Sequence, residues 1–429
     1  MALFRNSTPF RAWLTQPLAA IAFCASAASS PMFAVAEDAQ PSPQAQGDTP
    51  AVTAGEAAQA APEAPPNAAS DAGEAVALAA APAPKTDAKT QFHGSIELDN
   101  QYSIGTRPLR ATLALSYADL FSKADELSAA YQLAPQDVEQ VSVFATNYSA
   151  HPLPGGFQPS VYFIDANTNV PTAETAGVVG KGQIVGLRVS HALPGATGAT
   201  QSLSLAVEYK HFRNSPPFDF EESSTPISYP DLVLAYAGNW SFGGNQAGVN
   251  VAANYGPHGG ANTTGAYAGG DFHARADYFY LRADSAILAA LPKGWRFYAR
   301  LAGQYTGDSL NVDEEYSVAG VDAVRGYLEA EVLGDRALKG TLQLQSPVWQ
   351  HGTRQIGDAF VFCDAAIAQM IETLPGEMMT MHPRSWGLGM DLLAWKHLSA
   401  ALTWARPWAS ADVTHAGETR LLFLVRASF

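Results

Sequence analysis

Tyr316–Pro347 reads YSVAGVDAVRGYLEAEVLGDRALKGTLQLQSP, an acidic, turn-rich stretch that runs directly into a strand pattern. In its second half Lys339, Thr341, Gln343 and Gln345 alternate with Leu338, Leu342 and Leu344. A period of two residues places the polar set on one face of a β-strand and the leucines on the other. The first half centres on Val324-Arg325-Gly326-Tyr327. A long loop with an arginine near its middle therefore enters a strand that is wet on one side and apolar on the other.

The same period recurs along the chain. Ile96 and Leu98 alternate with Glu97 and Asp99, and Leu109, Ala111, Leu113, Leu115 and Tyr117 alternate with Arg110, Thr112, Ala114 and Ser116. Val185, Leu187 and Val189 alternate with Gly186, Arg188 and Ser190, and Leu203, Leu205, Val207 and Tyr209 with Ser202, Ser204, Glu208 and Lys210. Around position 272 the apolar face is read as Phe272, Ala274, Ala276, Tyr278 and Tyr280, against Asp271, His273, Arg275 and Asp277. Strands are placed near residues 94, 109, 125, 138, 158, 181, 201, 230, 246, 270, 293, 334, 356, 385, 398 and 418, sixteen in all. An even number suits a closed antiparallel barrel. The connections sort by parity: His211 to Pro230, Gly256 to Gly269 and Thr306 to Leu333 are long and polar, whereas Leu291-Pro292-Lys293-Gly294 and Lys396-His397 are tight.

Composition bounds the environment. The 429 residues carry a net charge of −15, with 15% charged and 47% hydrophobic residues. Such a surplus of negative charge excludes a nucleic-acid backbone as the natural partner. After the first 36 residues no apolar run approaches the roughly 18 residues that a spanning helix needs. A membrane barrel escapes that test because its apolar residues occupy every second position. Period two alone does not separate such a barrel from a soluble sandwich; the leader, the strand count and the spacing of the connections do.

Residues 1–36 read as a secretory signal: Arg5 and Arg11 at the front, a short apolar core from Leu14 to Ala27, and Ala34-Val35-Ala36 as a cleavage site. A cut after Ala27 is the alternative. Either removes Cys24 and leaves Cys363 without an intramolecular partner. Residues 37–91 are dominated by Ala, Pro, Glu, Asp and Gln. With almost nothing to bury, they are expected to form a disordered periplasmic linker, with a short helix over Gly73 to Ala81 as the alternative. The barrel is expected to occupy residues 92–429.

Phe360-Val361-Phe362-Cys363-Asp364-Ala365-Ala366 adds a second motif. Phe360, Phe362, Asp364 and Ala366 share a face, and an aspartate facing lipid would be costly, so this face is assigned to the lumen. At the end of the chain Phe423, Val425, Ala427 and Phe429 share a face and finish in a terminal aromatic residue.

Together these segments resemble the two-partner secretion translocators, the haemolysin secretion/activation proteins, within the superfamily of outer-membrane barrels that insert or export polypeptides. Ala319-Gly320-Val321-Asp322-Ala323-Val324-Arg325-Gly326-Tyr327, followed by Glu329 and Gly334-Asp335, is similar to that family's G-G-x-x-S-V-R-G-[YF] loop tip. The 360–366 segment resembles its F-x-D-x-G strand, with Ala366 where glycine is usual. Gly387-Leu388-Gly389 and Ala405-Arg406-Pro407 are similar to its late strands.

The resemblance implies an all-β fold: a 16-stranded antiparallel transmembrane β-barrel whose long sixth extracellular loop folds into the lumen. It implies the loop motif Val324, Arg325, Gly326 and Tyr327, with Arg325 paired to Asp364 beside Phe362, and a barrel-assembly signal in Phe423, Val425 and Phe429. It also implies export of a partner polypeptide that crosses unfolded, in the outer membrane of a Gram-negative cell. The partners are then membrane lipid, the secreted polypeptide and the barrel-assembly machinery, with no nucleic acid, cofactor or metal. The family's two periplasmic transport-associated domains have no counterpart pattern in residues 37–91. A passive diffusion pore therefore remains an alternative, as does a barrel that borrows its periplasmic domains from another chain for membrane-protein assembly. No G-x-S-x-G, H-E-x-x-H or phosphate-cradling glycine loop occurs, so the chain is not expected to be an enzyme. Asp313-Glu314-Glu315 is expected to be a solvated loop rather than a cation site, and the tryptophans are expected to form interfacial girdles.

Overall fold

The computed structural model describes residues 92–172, 178–213, 226–257, 277–351, 354–373, 379–395 and 397–429. The expected signal peptide and linker, residues 1–91, lie outside the described residues, as do Phe272, Ala274 and Ala276 and the loop from His258 to Gly269.

Sixteen strands follow one another round a closed antiparallel barrel: β1 (Phe92–Asp99), β2 (Arg110–Ala118), β3 (Glu126–Leu133), β4 (Ser142–Ser149), β5 (Phe157–Thr172), β6 (Val178–Leu193), β7 (Ala199–Arg213), β8 (Pro226–Phe242), β9 (Asn245–Gly256), β10 (Tyr278–Ala290), β11 (Arg296–Thr306), β12 (Arg336–Gln345), β13 (Arg354–Gln369), β14 (Arg384–Trp395), β15 (Leu398–Pro407) and β16 (Arg420–Ser428). Each strand pairs with its neighbours in sequence, and β1 closes the ring by pairing with both β2 and β16. Two short pieces, Trp349–His351 and Thr380–Met381, pair with the two ends of β13. Among the described residues helix is confined to single 3₁₀ turns at Pro292–Gly294 and Val312–Glu314.

Burial decides between sandwich and membrane barrel. On β6 and β7 Leu187 is 58% exposed and Leu205 55%, whereas Arg188 is 8% and Lys210 2% exposed. Val185, Val189, Val207 and Tyr209 are likewise outside. The apolar face thus points out and the polar face in, the reverse of a water-soluble protein. Leaving each of these side chains in water would forgo roughly 1.5–3 kcal/mol, and so continuous an apolar band marks a lipid-facing surface. Trp295 and Trp349 near one rim, and Trp386 and Trp408 near the other, are exposed where interfacial girdles belong.

β1–β4 have 8 or 9 residues each, about enough to cross the hydrocarbon layer. β5–β8 have 15 to 17 and extend beyond it. The longest connections follow odd strands (among them 307–335 after β11, 370–383 after β13 and 408–419 after β15), whereas those after β8 and β10 are only 243–244 and 291–295.

The strand read near position 270 differs from expectation. Its described part begins at Tyr278, and Tyr278 and Tyr280 turn into the lumen, 2% and 1% exposed, while Phe279 and Leu281 face outward. Tyrosine satisfies either face by hydrophobicity alone. Here the phenol hydroxyls of Tyr278 and Tyr280 find an acceptor inside the barrel in Glu314, and that settles the register. Cys363 alternates with the lumenal Phe362 and Asp364 and so lies on the outer face of β13; Cys24, the other cysteine of the sequence, lies outside the described residues.

The seam ends on the terminal residue. Gly94 N–H donates to Phe429 O at 2.9 Å and Phe429 N–H to Gly94 O at 2.8 Å. The Phe429 ring lies where a side chain on Gly94 would project, 2.5 Å from an ideal Cβ, and 6.2 Å from the Phe92 ring. Val425 and Phe429 face outward, Phe423 is partly buried on the same face, and Leu422 and Leu424 face the lumen.

Candidate functional site

Residues 307–335 leave β11, enter the barrel and return to β12. Two limbs run side by side as a stalk: Tyr316 N–H donates to Gly334 O at 2.9 Å and Val318 N–H to Val332 O at 3.0 Å. Asp335 ties the base, because its carboxylate accepts from Leu310 N–H and Ile371 N–H, each at 2.7 Å. An apolar knot of Val318, Ala319, Val324, Tyr327 and Val332 packs against Ala337 of β12 and Ala366 and Ala368 of β13.

At the tip, Arg325 meets Asp364 of β13. Nε donates to Asp364 Oδ2 at 2.8 Å, Nη2 to Oδ1 at 2.9 Å, and the Arg325 backbone N–H to Oδ2 at 3.1 Å. Nη1 donates to Gln343 Oε1 at 3.0 Å, and the guanidinium carbon lies 3.5 Å from the centroid of the Phe362 ring. The planar fork is thus filled on both edges and one face. Asp364 is fully buried, so removing the arginine leaves a carboxylate with no countercharge, a loss of about 3–5 kcal/mol in a dry interior and less in a wet lumen.

The other members of the motif have separate tasks. Gly326 has φ +98°, a left-handed conformation that other residues avoid, and a Cβ there would sit 3.2 Å from that of Ala405 and 3.1 Å from Pro407 Cδ. Val324 is fully buried in the apolar knot. Tyr327 OH donates to Ala409 O at 2.6 Å and accepts from Arg384 N–H at 3.2 Å. The Phe360 and Phe362 rings lie directly over Gly389 and Gly387 of β14, where a Cβ would come within 2.5 Å of them. That explains the two glycines flanking Leu388. The structure therefore brings Val324, Arg325, Gly326, Tyr327, Phe362 and Asp364 together. It leaves Phe423, Val425 and Phe429 on the outer face of β16, apart from this cluster.

Sequence reading missed two attachments of the loop. Glu331 Oε1 accepts from Val413 N–H at 2.9 Å and Thr414 N–H at 2.6 Å, and its Oε2 accepts from Thr414 Oγ1 at 2.6 Å, joining the stalk to connection 408–419. Glu314 and Lys210 meet on the far side of the barrel at 2.7 Å. The Asp313-Glu314-Glu315 triplet, expected to be solvated, is 2%, 1% and 4% exposed. Lys210 is placed on the lumenal face by its alternation with Val207 and Tyr209, but nothing local to it points to a residue more than a hundred positions away.

Glu329 reaches back to accept from Val321 N–H at 2.7 Å, and its own N–H donates to Tyr102 O at 3.1 Å. Burial pushes its carboxyl up to about 8; repulsion from Asp322 and Asp99 adds to this, while the Val321 hydrogen bond and Lys339 oppose it. The docked tip thus holds the proton more tightly than a free chain does. Its stability is complete below the ordinary carboxylate value of 4.5, falls as pH rises from there to about 8, and is level above. Protease sensitivity of the loop in the purified barrel is expected to increase between pH 5 and pH 8. Glu329→Gln, which keeps an oxygen for Val321, is expected to flatten that dependence; an unchanged pH profile in the variant would show that another group is responsible.

The family described as haemolysin secretion/activation protein ShlB/FhaC/HecB matches residues 85–360. The match takes in the whole 307–335 connection and stops just short of Asp364. No curated protein matches the chain. Among solved structures, CdiB from Escherichia coli superposes with a TM-score of 0.62 at 15% identity, covering 80% of this chain and 64% of that one. CdiB from Acinetobacter baumannii gives 0.59 at 14%, covering 80% and 61%. BamA from Haemophilus ducreyi lacking POTRA domains 1-3 gives 0.56 at 14%, covering 79% and 70%. At these identities the likeness is one of fold, and the chain spans less than two thirds of the length of either CdiB.

Proposed function

The chain belongs to the family of haemolysin secretion/activation proteins, and from that premise we propose that it is an outer-membrane translocator that exports a partner polypeptide through its lumen. The observation that carries this reading is the 307–335 connection, which occupies the lumen and is held there by Arg325 on Asp364. A diffusion pore gains nothing from a loop that fills its own channel. A transporter needs a resting state that does not leak and an open state for the cargo. In this reading the Arg325–Asp364 pair is the latch, the long connections face outside, and the partner passes in extended form, since a barrel of sixteen strands admits a chain but not a folded domain. No nucleotide is consumed. Phe423, Val425 and Phe429 act earlier, as the strand recognised by the barrel-assembly machinery.

The test is deletion of the gene followed by comparison of the proteins released into the medium. Export predicts the loss of one large secreted protein and its accumulation in the periplasm. An unchanged secretome with slower uptake of small solutes would replace this reading by the diffusion pore.

A further inference from the structure

We infer that Glu314 is a second, separable anchor of the loop, positioning its first limb against the β7–β10 wall independently of the Arg325 latch; this rests on the reading of the loop as a gate. Glu314 Oε1 accepts from Lys210 Nζ at 2.7 Å and from Tyr229 OH at 2.6 Å, and Oε2 from Tyr280 OH at 2.7 Å. Its backbone carbonyl accepts from Arg282 Nη2 and Gln304 Nε2, each at 3.1 Å. The donors come from β7, β8, β10 and β11, whereas the acceptors for Arg325 sit on β12 and β13. The loop therefore presents a carboxylate to one wall and a guanidinium to another, and spans the lumen between them. Burial raises the Glu314 carboxyl, but Lys210 and Arg282 and the hydrogen bonds from Lys210 and Tyr229 more than offset it and hold the group below its ordinary range.

The two anchors differ in what they leave behind. Lys210 Nζ is also 2.9 Å from Asp231 and 3.6 Å from Glu208, and the Arg282 guanidinium lies 4.7 Å from the centroid of the Tyr280 ring. With Glu314 withdrawn, two cations face two carboxylates and the wall stays balanced. With Arg325 withdrawn, Asp364 loses its countercharge. The first limb can thus swing away while the tip stays latched, which opens the channel along β7–β10 first.

Lys210 reports this directly. A membrane-impermeant acylating reagent, read by peptide mass spectrometry on the full-length barrel, is expected to leave Lys210 protected in the wild type and in Arg325→Ala. In Glu314→Gln, which keeps shape and loses charge, modification is expected to be about tenfold faster or more, the effect of losing a charged hydrogen bond. Glu314→Asp, with its charge kept but drawn back by one methylene, is expected to be intermediate, and it serves as the variant of record if Glu314→Gln fails to give a folded barrel. Unchanged protection in both folded variants would overturn the inference, as would loss of protection in Arg325→Ala equal to that in Glu314→Gln, or faster modification in Glu314→Gln with none in the charge-keeping Glu314→Asp, because loss of the neighbouring charge by itself frees the Lys210 amine to react. The readout follows limb position whether or not a polypeptide is exported, so its failure is distinct from failure of the export reading.

Discussion

If the chain exports a partner as proposed, Arg325→Glu is expected to reduce release of that partner by about tenfold or more, and Arg325→Glu combined with Asp364→Arg to recover part of it. The single change replaces a two-pronged, charge-assisted pair with two carboxylates facing each other at a site where Asp364 is fully buried. In a dry interior breaking such a pair costs about 3–5 kcal/mol. Screening by lumenal water lowers this, but about 1.4 kcal/mol is already tenfold. The exchanged pair restores the attraction in reverse. Recovery is incomplete because Gln343 and the Phe362 face are built round a guanidinium on the loop, not on the strand. Secretion of the partner, normalised to folded barrel in the outer membrane, measures the effect. A double variant no better than either single one would show that the two residues do not act as a pair.

Much of this architecture was legible in the sequence because a barrel writes itself at period two. The count of sixteen strands and the lumenal face of β13 follow from alternation and from the cost of an aspartate in lipid, although the strand read near 138 begins at Ser142 and the one read near 270 has its described start at Tyr278. The side on which a strand faces water was harder to read where both faces carry amphipathic residues. On β10 the tyrosines face in and Phe279 with Leu281 face out, a choice made by Glu314, a residue far away in sequence. The same distance hid Glu314 itself: three adjacent acids look solvated until Lys210 and Arg282 are brought over them by the curvature of the barrel. Glu331 gave no signal, because its partners are backbone N–H groups of connection 408–419, and a backbone amide has no sequence.

The resemblance read from Val324-Arg325-Gly326-Tyr327 brought in the partner that physics alone would have left open. Alternation placed Asp364 in the lumen but did not say what it bonds. The geometry supplies a reason for each motif residue: a fork that fills both carboxylate oxygens, a glycine at positive φ against Ala405 and Pro407, and a phenol that reaches Ala409 across the next connection but one.

A lumen closed at rest by a loop held on its walls should reveal itself in single-channel recording in a planar bilayer. The intact protein is expected to show a small, fluctuating conductance, and deletion of Asp313 to Glu331 to raise it severalfold to a steady level. That deletion removes Arg325, Glu314 and most of the apolar knot together, while β11 and β12 keep their own ladder. A wild-type channel that is already wide and steady, and unchanged by the deletion, would contradict the account.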